Sequence, residues 1–289
     1  MGGNNESSCG RAHDFITLVG TLPGTAQPPA FFRQVVNLDT RPGVTVRYVG
    51  MTPFIGGRVP VALVLLAGGN GRLAISNTGV IGTSLSQNFL IRSRELFLRS
   101  GAAVVVAVDA PSDRPNGMNG IFRLSPEHAQ DLAAVMQDVR MRYGFPVWLV
   151  GTSSGTMSVA NSGSFAGPVR PTGVVFTSSQ TRRTKTCGRT VFNDTLAAIP
   201  MPALVVSHSD DACACSPAPD ADSVLSALTA SWKKDKKIFS GGLAPISGPC
   251  DARAQHGFYG IERSVTDFIM QWIDTAFLPV VFPPPVFQR

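Results

Sequence analysis

Long apolar runs are missing from this 289-residue chain. Its most continuous ones, such as Val59–Ala67 and Ala102–Ala110, fall well short of the roughly 20 residues a helix needs to cross a bilayer. No membrane span is therefore expected. Charge is also sparse, at 15% of residues, with 25 Lys+Arg against 19 Asp+Glu for a net +6. Part of the excess lies in two short runs, Arg182-Arg183-Thr184-Lys185 with Arg189, and Lys233-Lys234-Asp235-Lys236-Lys237. Neither has the interleaved aromatics or recognisable module of a nucleic-acid footprint, so both read as solvated surface and no nucleic-acid partner is expected. The five cysteines form no C-x-x-C pair and have no neighbouring histidines, which excludes the usual zinc patterns and gives no reason to expect a metal or any other cofactor. Their odd number leaves at least one thiol free or paired between chains. The 29 glycines and 22 prolines follow no repeat period, which argues against a collagen, a solenoid or a disordered chain. What remains is a loop-rich globular enzyme or binding domain, expected as one domain over 1–289; the sequence assigns no oligomeric state.

Short β-branched runs alternate with helical patterns, the order that builds a mainly parallel sheet with helices on both faces. An antiparallel start is expected at Phe15–Val19 and Val44–Gly50, followed by strands at Val61–Leu66, Ala103–Val108, Val147–Val150, Gly173–Thr177 and Ala203–Ser207, with a weaker one at Lys237–Ser240. The total is about eight strands. Helical periodicity runs from Asn88 to Arg99. The best-marked helix is capped by Ser125, carries Pro126 in its first turn, repeats Leu132, Val135, Met136 and Val139 on one face, and stops near Gly144. A further helix is expected over Thr156–Asn161, and a terminal amphipathic one over about Gly260–Ala276 with Ile261, Val265, Phe268, Ile269 and Trp272 as its apolar face. Residues 1–14 are expected to be flexible, and 277–289 to form an extended Pro-rich tail.

Gly151-Thr152-Ser153-Ser154-Gly155 fits G-x-S-x-G and lies between a buried strand and a helix. In that context Ser153 occupies a strained turn that lifts its hydroxyl above the sheet, and the flanking glycines admit the close approach of neighbouring backbone. A serine hydroxyl needs a base. Of the four histidines, His13 and His128 read as solvated and His208 as structural; His256, in the loop after the last strand and before the last helix, fits the base. A carboxylate must then hold the imidazole in the right tautomer. The loop after Ala203–Ser207 offers Asp210 and Asp211, of which Asp211 is preferred. Cys213 beside it is positioned for a disulfide to Cys250, six residues before His256, which would clamp the acid loop to the base loop. Oxyanion donors are expected from the Ser154 N–H and from Gly69 or Asn70 in the glycine-rich loop Ala67–Gly71. Met136, Met141, Met157, Trp148 and Trp272 read as core, and Asp109 as a stabiliser of the turn after its strand.

Together, Ala67-Gly68-Gly69-Asn70-Gly71, Val106–Asp113, Gly151–Gly155, Asp210-Asp211 with Cys213, and Cys250–Phe258 with Glu262 give a chain that resembles the α/β-hydrolase-fold serine esterases from about Val44 to Ala276. It departs from the lipase-like pattern in having Ala67 where histidine is common. The resemblance implies a Ser153–His256–Asp211 triad acting on a small-molecule ester. The same machinery would serve amide or peptide hydrolysis, and a silent hydrolase-like binding protein is the non-enzymatic alternative. Only 25 residues, 178–202, separate two of the strands, too few for a large lid, so an open site is expected. The stretch Met1–Asp14 has no apolar core and does not read as a signal peptide. If the disulfide forms, a periplasmic or extracellular home with its leader already removed is expected.

Overall fold

The computed structural model describes residues 31–54, 56–193 and 196–276. Eight strands form one sheet: β1 (Phe31–Arg41), β2 (Val44–Pro53), β3 (Val59–Leu66), β4 (Ala102–Val108), β5 (Val147–Thr152), β6 (Gly173–Thr177), β7 (Ala203–His208) and β8 (Lys234–Phe239). Their spatial order is β1-β2-β4-β3-β5-β6-β7-β8. The β1–β2 and β2–β4 pairings are antiparallel and the others parallel. Both faces of the inner strands are covered, which is why β4 and β5 are buried along their whole length and read as continuous apolar runs.

Alternation along each strand assigns the faces. Ala62, Val64 and Leu66 point to a layer built by α5 (Pro126–Tyr143), α6 (Gly155–Ser164) and α7 (Asp220–Ala227), while Leu63 and Leu65 point to α2 (Phe89–Arg92), which the short α1 (Thr83–Ser86) precedes, and to α3 (Arg94–Arg99) and α8 (Glu262–Ala276). Helix α5 starts as its sequence demands. The Ser125 side chain accepts from the His128 N–H, Pro126 opens the first turn, and Gly144 at φ 73° closes the helix.

Several expectations change. The stretch 88–99 is two short helices that meet at Ser93 instead of one. The antiparallel start is made by β1, a half-exposed edge strand whose apolar alternation is incomplete; the strand expected at Phe15–Val19 lies outside the described residues, as do the segments 1–14 and 277–289 and the residues Cys9 and His13. The last strand begins three residues earlier than expected, so much of the lysine run lies on β8, where charge on a sheet edge discourages pairing with another chain. Met141 is not core: it projects from the outer face of α5 at 71% exposure, away from the inner stripe that carries Leu132, Val135, Met136 and Val139. Met136, Met157, Trp148 and Trp272 are buried as expected.

Between β6 and β7 the described residues carry two single 3-10 turns, Val191–Asn193 and Leu196–Ala198, and no large lid. The chain leaves β3 toward β4 on one side, and later enters β5 on the other. That reversal opens a crevice at the carboxyl ends of β3 and β5, the place where open α/β sheets bind ligands.

Candidate active site

Ser153 follows β5 directly and has φ 53°, a left-handed backbone that a non-glycine residue adopts only at a cost. The turn is pinned by the Ser153 N–H donating to Thr177 O (3.0 Å) and by the Thr156 N–H and hydroxyl donating to Ser153 O (3.0 and 2.6 Å). Its tightness explains the flanking glycines: a Cβ on Gly155 would stand 2.1 Å from Leu66 O, and one on Gly151 would stand 2.6 Å from Gly155 O. The loop after β3 crosses close by, since a Cβ on Gly68 would lie 2.9 Å from Ser153 Cβ.

Asp211 and His256 meet. The Asp211 side chain is buried, and its Oδ2 lies 2.9 Å from His256 Nδ1, while Oδ1 accepts the Cys213 N–H at 2.9 Å. Asp210 is exposed; its side chain accepts from the Ser209 hydroxyl instead, so the structure separates the two candidate acids. His256 Nε2 is buried and has no hydrogen-bond partner. It therefore makes no hydrogen bond to Ser153, yet both residues line one cavity of about 160 Å3 together with Gly68, Asn88 and Phe89.

The His256 loop is held from four sides. Ser216 Oγ lies 3.0 Å from Nδ1, sharing that nitrogen with Asp211. The Ser178 hydroxyl donates to His256 O (2.9 Å), and Arg92 donates to Gly257 O (2.6 Å) while pairing with Glu262 at 2.8 Å. The fourth restraint is the Cys213–Cys250 disulfide, which links the Asp211 loop to the His256 loop as expected. A second disulfide, Cys187–Cys215, ties the β6–β7 segment to the same Asp211 loop. Cysteine spacing alone does not reveal connectivity.

The oxyanion candidates Gly69, Asn70 and Ser154 line a second, larger cavity of about 600 Å3 together with Ser153. Gly69 has φ 59°, and the Ser154 hydroxyl donates to its carbonyl at 2.7 Å. Asn70 donates through its side chain to Asn116 O (3.1 Å) and accepts from the Arg72 N–H (3.2 Å), which fixes the loop tip. Asp109 does more than stabilise its own turn: its carboxylate accepts from the N–H groups of Leu73 and Ile75 at 2.6 and 3.0 Å, anchoring the chain that leaves this loop.

Two residues behind the loop escape the sequence reading. Arg123, on the short helix α4 (Gly120–Arg123), is 1% exposed and donates to Ala67 O (3.0 Å), Gly69 O (3.2 Å) and Ser158 Oγ (2.8 Å). Burial pushes its pKa down to about 10, which still leaves it charged at neutral pH. His128, expected to be solvated, is instead 3% exposed, with Nε2 2.9 Å from the same Ser158 hydroxyl. Burial, with the nearby charges of Arg123 and Arg41, lowers its pKa to about 3, so it is neutral. It lies in the first turn of α5 but on the side that faces α6, a distinction the chain order does not display. His208 is buried as the last residue of β7, where its Nδ1 accepts the Asp210 N–H (3.1 Å) and its Nε2 lies 2.9 Å from Gly241 O; those contacts fit the structural role expected of it.

No protein-family model and no curated protein matches the chain. Solved structures do. A cold-adapted esterase from an Arctic intertidal metagenomic library is similar over 85% of this chain and 96% of its own, at 13% identity and a TM-score of 0.55. An arylesterase is similar over 87% and 86%, at 11% identity and a TM-score of 0.57. A lidless α/β serine hydrolase from Xanthomonas campestris covers 83% and 94%, at 14% identity and a TM-score of 0.52. The chain has the α/β-hydrolase fold. Its structural neighbours include esterases and serine hydrolases, and its crevice at the β3–β5 reversal is where that fold carries its loops.

Proposed function

We propose that this α/β-hydrolase-fold protein is a serine hydrolase that cleaves carboxylic esters through an acyl-enzyme. One observation carries the reading: the buried Asp211–His256 pair (2.9 Å) leaves Nε2 buried without a partner, and that imidazole lines the cavity that Ser153 also lines. A buried polar atom without a partner is costly unless a ligand or reacting group completes it.

In this reading Asp211 accepts the Nδ1–H and fixes the tautomer with Nε2 as base. Substrate binding draws Ser153 Oγ into hydrogen-bond range of Nε2, a contact that often tightens only in the complex. Ser153 then attacks the carbonyl carbon as its proton passes to His256. The negative charge that gathers on the carbonyl oxygen is met by backbone N–H groups of Ser154 and of Gly69 or Asn70. The turn's own backbone bonds use the N–H groups of Ser153, Thr156 and Met157, leaving that of Ser154 without an acceptor among the described residues. His256 protonates the leaving alcohol. Water, deprotonated by the same imidazole, releases the acid.

The test is turnover of a p-nitrophenyl short-acyl ester by the wild-type chain and by Ser153→Ala. The expected result is turnover abolished in the variant. Wild-type activity in the folded variant would remove Ser153 from the mechanism.

A further inference from the structure

Two cavities flank Ser153, and they differ in what else lines them. Gly69 lines both; the smaller, about 160 Å3, also includes His256, and the larger, about 600 Å3, includes Asn70 and Ser154 but not His256. On the ester-hydrolase reading, on which this inference rests, His256 must return a proton to the leaving oxygen. The alcohol half therefore lies in the smaller cavity, and the acyl half extends from the oxyanion loop into the larger one. A small alcohol and a larger acyl group follow from the volumes.

The charged groups lining the larger cavity are both guanidiniums, Arg123 and Arg189. Arg123 is buried beneath the oxyanion loop. Its Nη groups are met by backbone carbonyls and a hydroxyl, its Nε has no partner, and no carboxylate pairs with it among the described residues. Arg189 is exposed at the mouth and likewise pairs with no carboxylate among the described residues. Its backbone is nevertheless held: Gln180 donates to Arg189 O at 2.6 Å, and Cys187, two residues earlier, is bonded to Cys215. Cations gathered in a concave site without an acid focus positive potential there.

We infer that the acyl pocket selects an anionic acyl group, so that the substrate is the ester of a small alcohol with a dicarboxylic or similarly acidic partner, its free carboxylate gripped by Arg189. The planar guanidinium presents a fork that matches a carboxylate. The field of Arg123 adds to the attraction from below. For monomethyl glutarate, hydrolysis adds one water across the acyl–oxygen bond and releases methanol, the glutarate dianion and one proton.

The experiment compares monomethyl glutarate with the neutral methyl ester in which an isopropyl group replaces the carboxylate. The wild-type chain, Arg189→Gln and Arg183→Gln are assayed by proton or methanol release. Arg183 belongs to the same basic run, is exposed and lines neither cavity. The expected result is a wild-type kcat/KM favouring the anionic ester, a preference cut by about tenfold or more in Arg189→Gln, chiefly through KM, and kept in Arg183→Gln. Added salt should erode it. In parallel, calorimetric titration of the Ser153→Ala protein with both esters should show tighter binding of the anionic one, lost when Arg189→Gln is added. Equal preference in wild type and Arg189→Gln, or equal binding of the two esters, overturns the anionic pocket; turnover of the neutral ester then leaves the hydrolase reading standing. Preferential binding without any turnover would do the reverse.

Discussion

Asp211 and His256, separated by 45 positions in the chain, meet through a 2.9 Å contact between Oδ2 and Nδ1, with Ser216 Oγ 3.0 Å from the same nitrogen. Asp211 comes from the loop after β7, and His256 from the loop before α8. Neither loop has regular structure to hold it beyond a 3-10 turn at Gln255–Gly257. The contact therefore depends on the restraints around it, and those restraints give the first predictions.

Replacing Asp211 by Asn keeps the size of the side chain but lets its amide donate toward Nδ1, which favours the wrong tautomer. A kcat loss of about 10³- to 10⁴-fold is expected, with little change in KM. Asp210→Asn, which alters an exposed side chain, should leave kcat within a few-fold of wild type. Steady-state kinetics on one ester checks both.

The Cys213–Cys250 bond closes a separation of 37 residues. Joint replacement of Cys213 and Cys250 by Ala should cost about 2–4 kcal/mol of stability and lower kcat through a looser Asp211–His256 geometry. Denaturation midpoints with and without reductant, set beside kcat, measure the two effects. An unchanged kcat would show that the bond stabilises without positioning.

Arg123 spans two carbonyls of the loop after β3, those of Ala67 and Gly69. Both bonds come from Nη2, while Nη1 holds the Ser158 hydroxyl; lysine keeps the charge but has a single nitrogen and cannot span the carbonyls and Ser158 together, so Arg123→Lys should let the proposed oxyanion donors drift and lower kcat by about 10²-fold, the cost of a misplacement near 1 Å. KM should move much less. A folded variant with unchanged kcat would contradict this positioning role.

His128 sets an acid limit. Its folded pKa, lowered to about 3, lies below its ordinary value near 6.5, so between those values the unfolded chain binds a proton that the folded chain refuses. Stability is accordingly lost as pH falls through that window, by about 1.4 kcal/mol for each pH unit. His128→Gln should move the acid-unfolding midpoint to lower pH, as followed by circular dichroism.

How far the sequence reached is set by the range of each interaction. The inner strands, α5 and the Ser153 turn were legible because their signals are local: apolar runs, a Ser–Pro start, a Gly stop, and a five-residue motif between a strand and a helix. Asp211 and His256 were legible from their order relative to those strands. Ser216, Ser178 and Arg92 act on His256 only through the folded arrangement, and nothing in their neighbourhoods marks them. Arg123 goes unmarked in the sequence, and His128 reads as solvated, for one physical reason. Charged and polar residues near a helix start normally face water, but here α4 and the first turn of α5 pack against α6 and the loop after β3. The β1 strand was missed because an edge strand keeps only part of its alternation.

The most direct measurement of the central claim is labelling of the folded protein with a fluorophosphonate, followed by peptide mass spectrometry. The account predicts one equivalent of adduct per chain, on Ser153, with labelling slowed by orders of magnitude in His256→Ala. A folded protein that takes no label, or takes it at another residue with Ser153 unmodified, would contradict it.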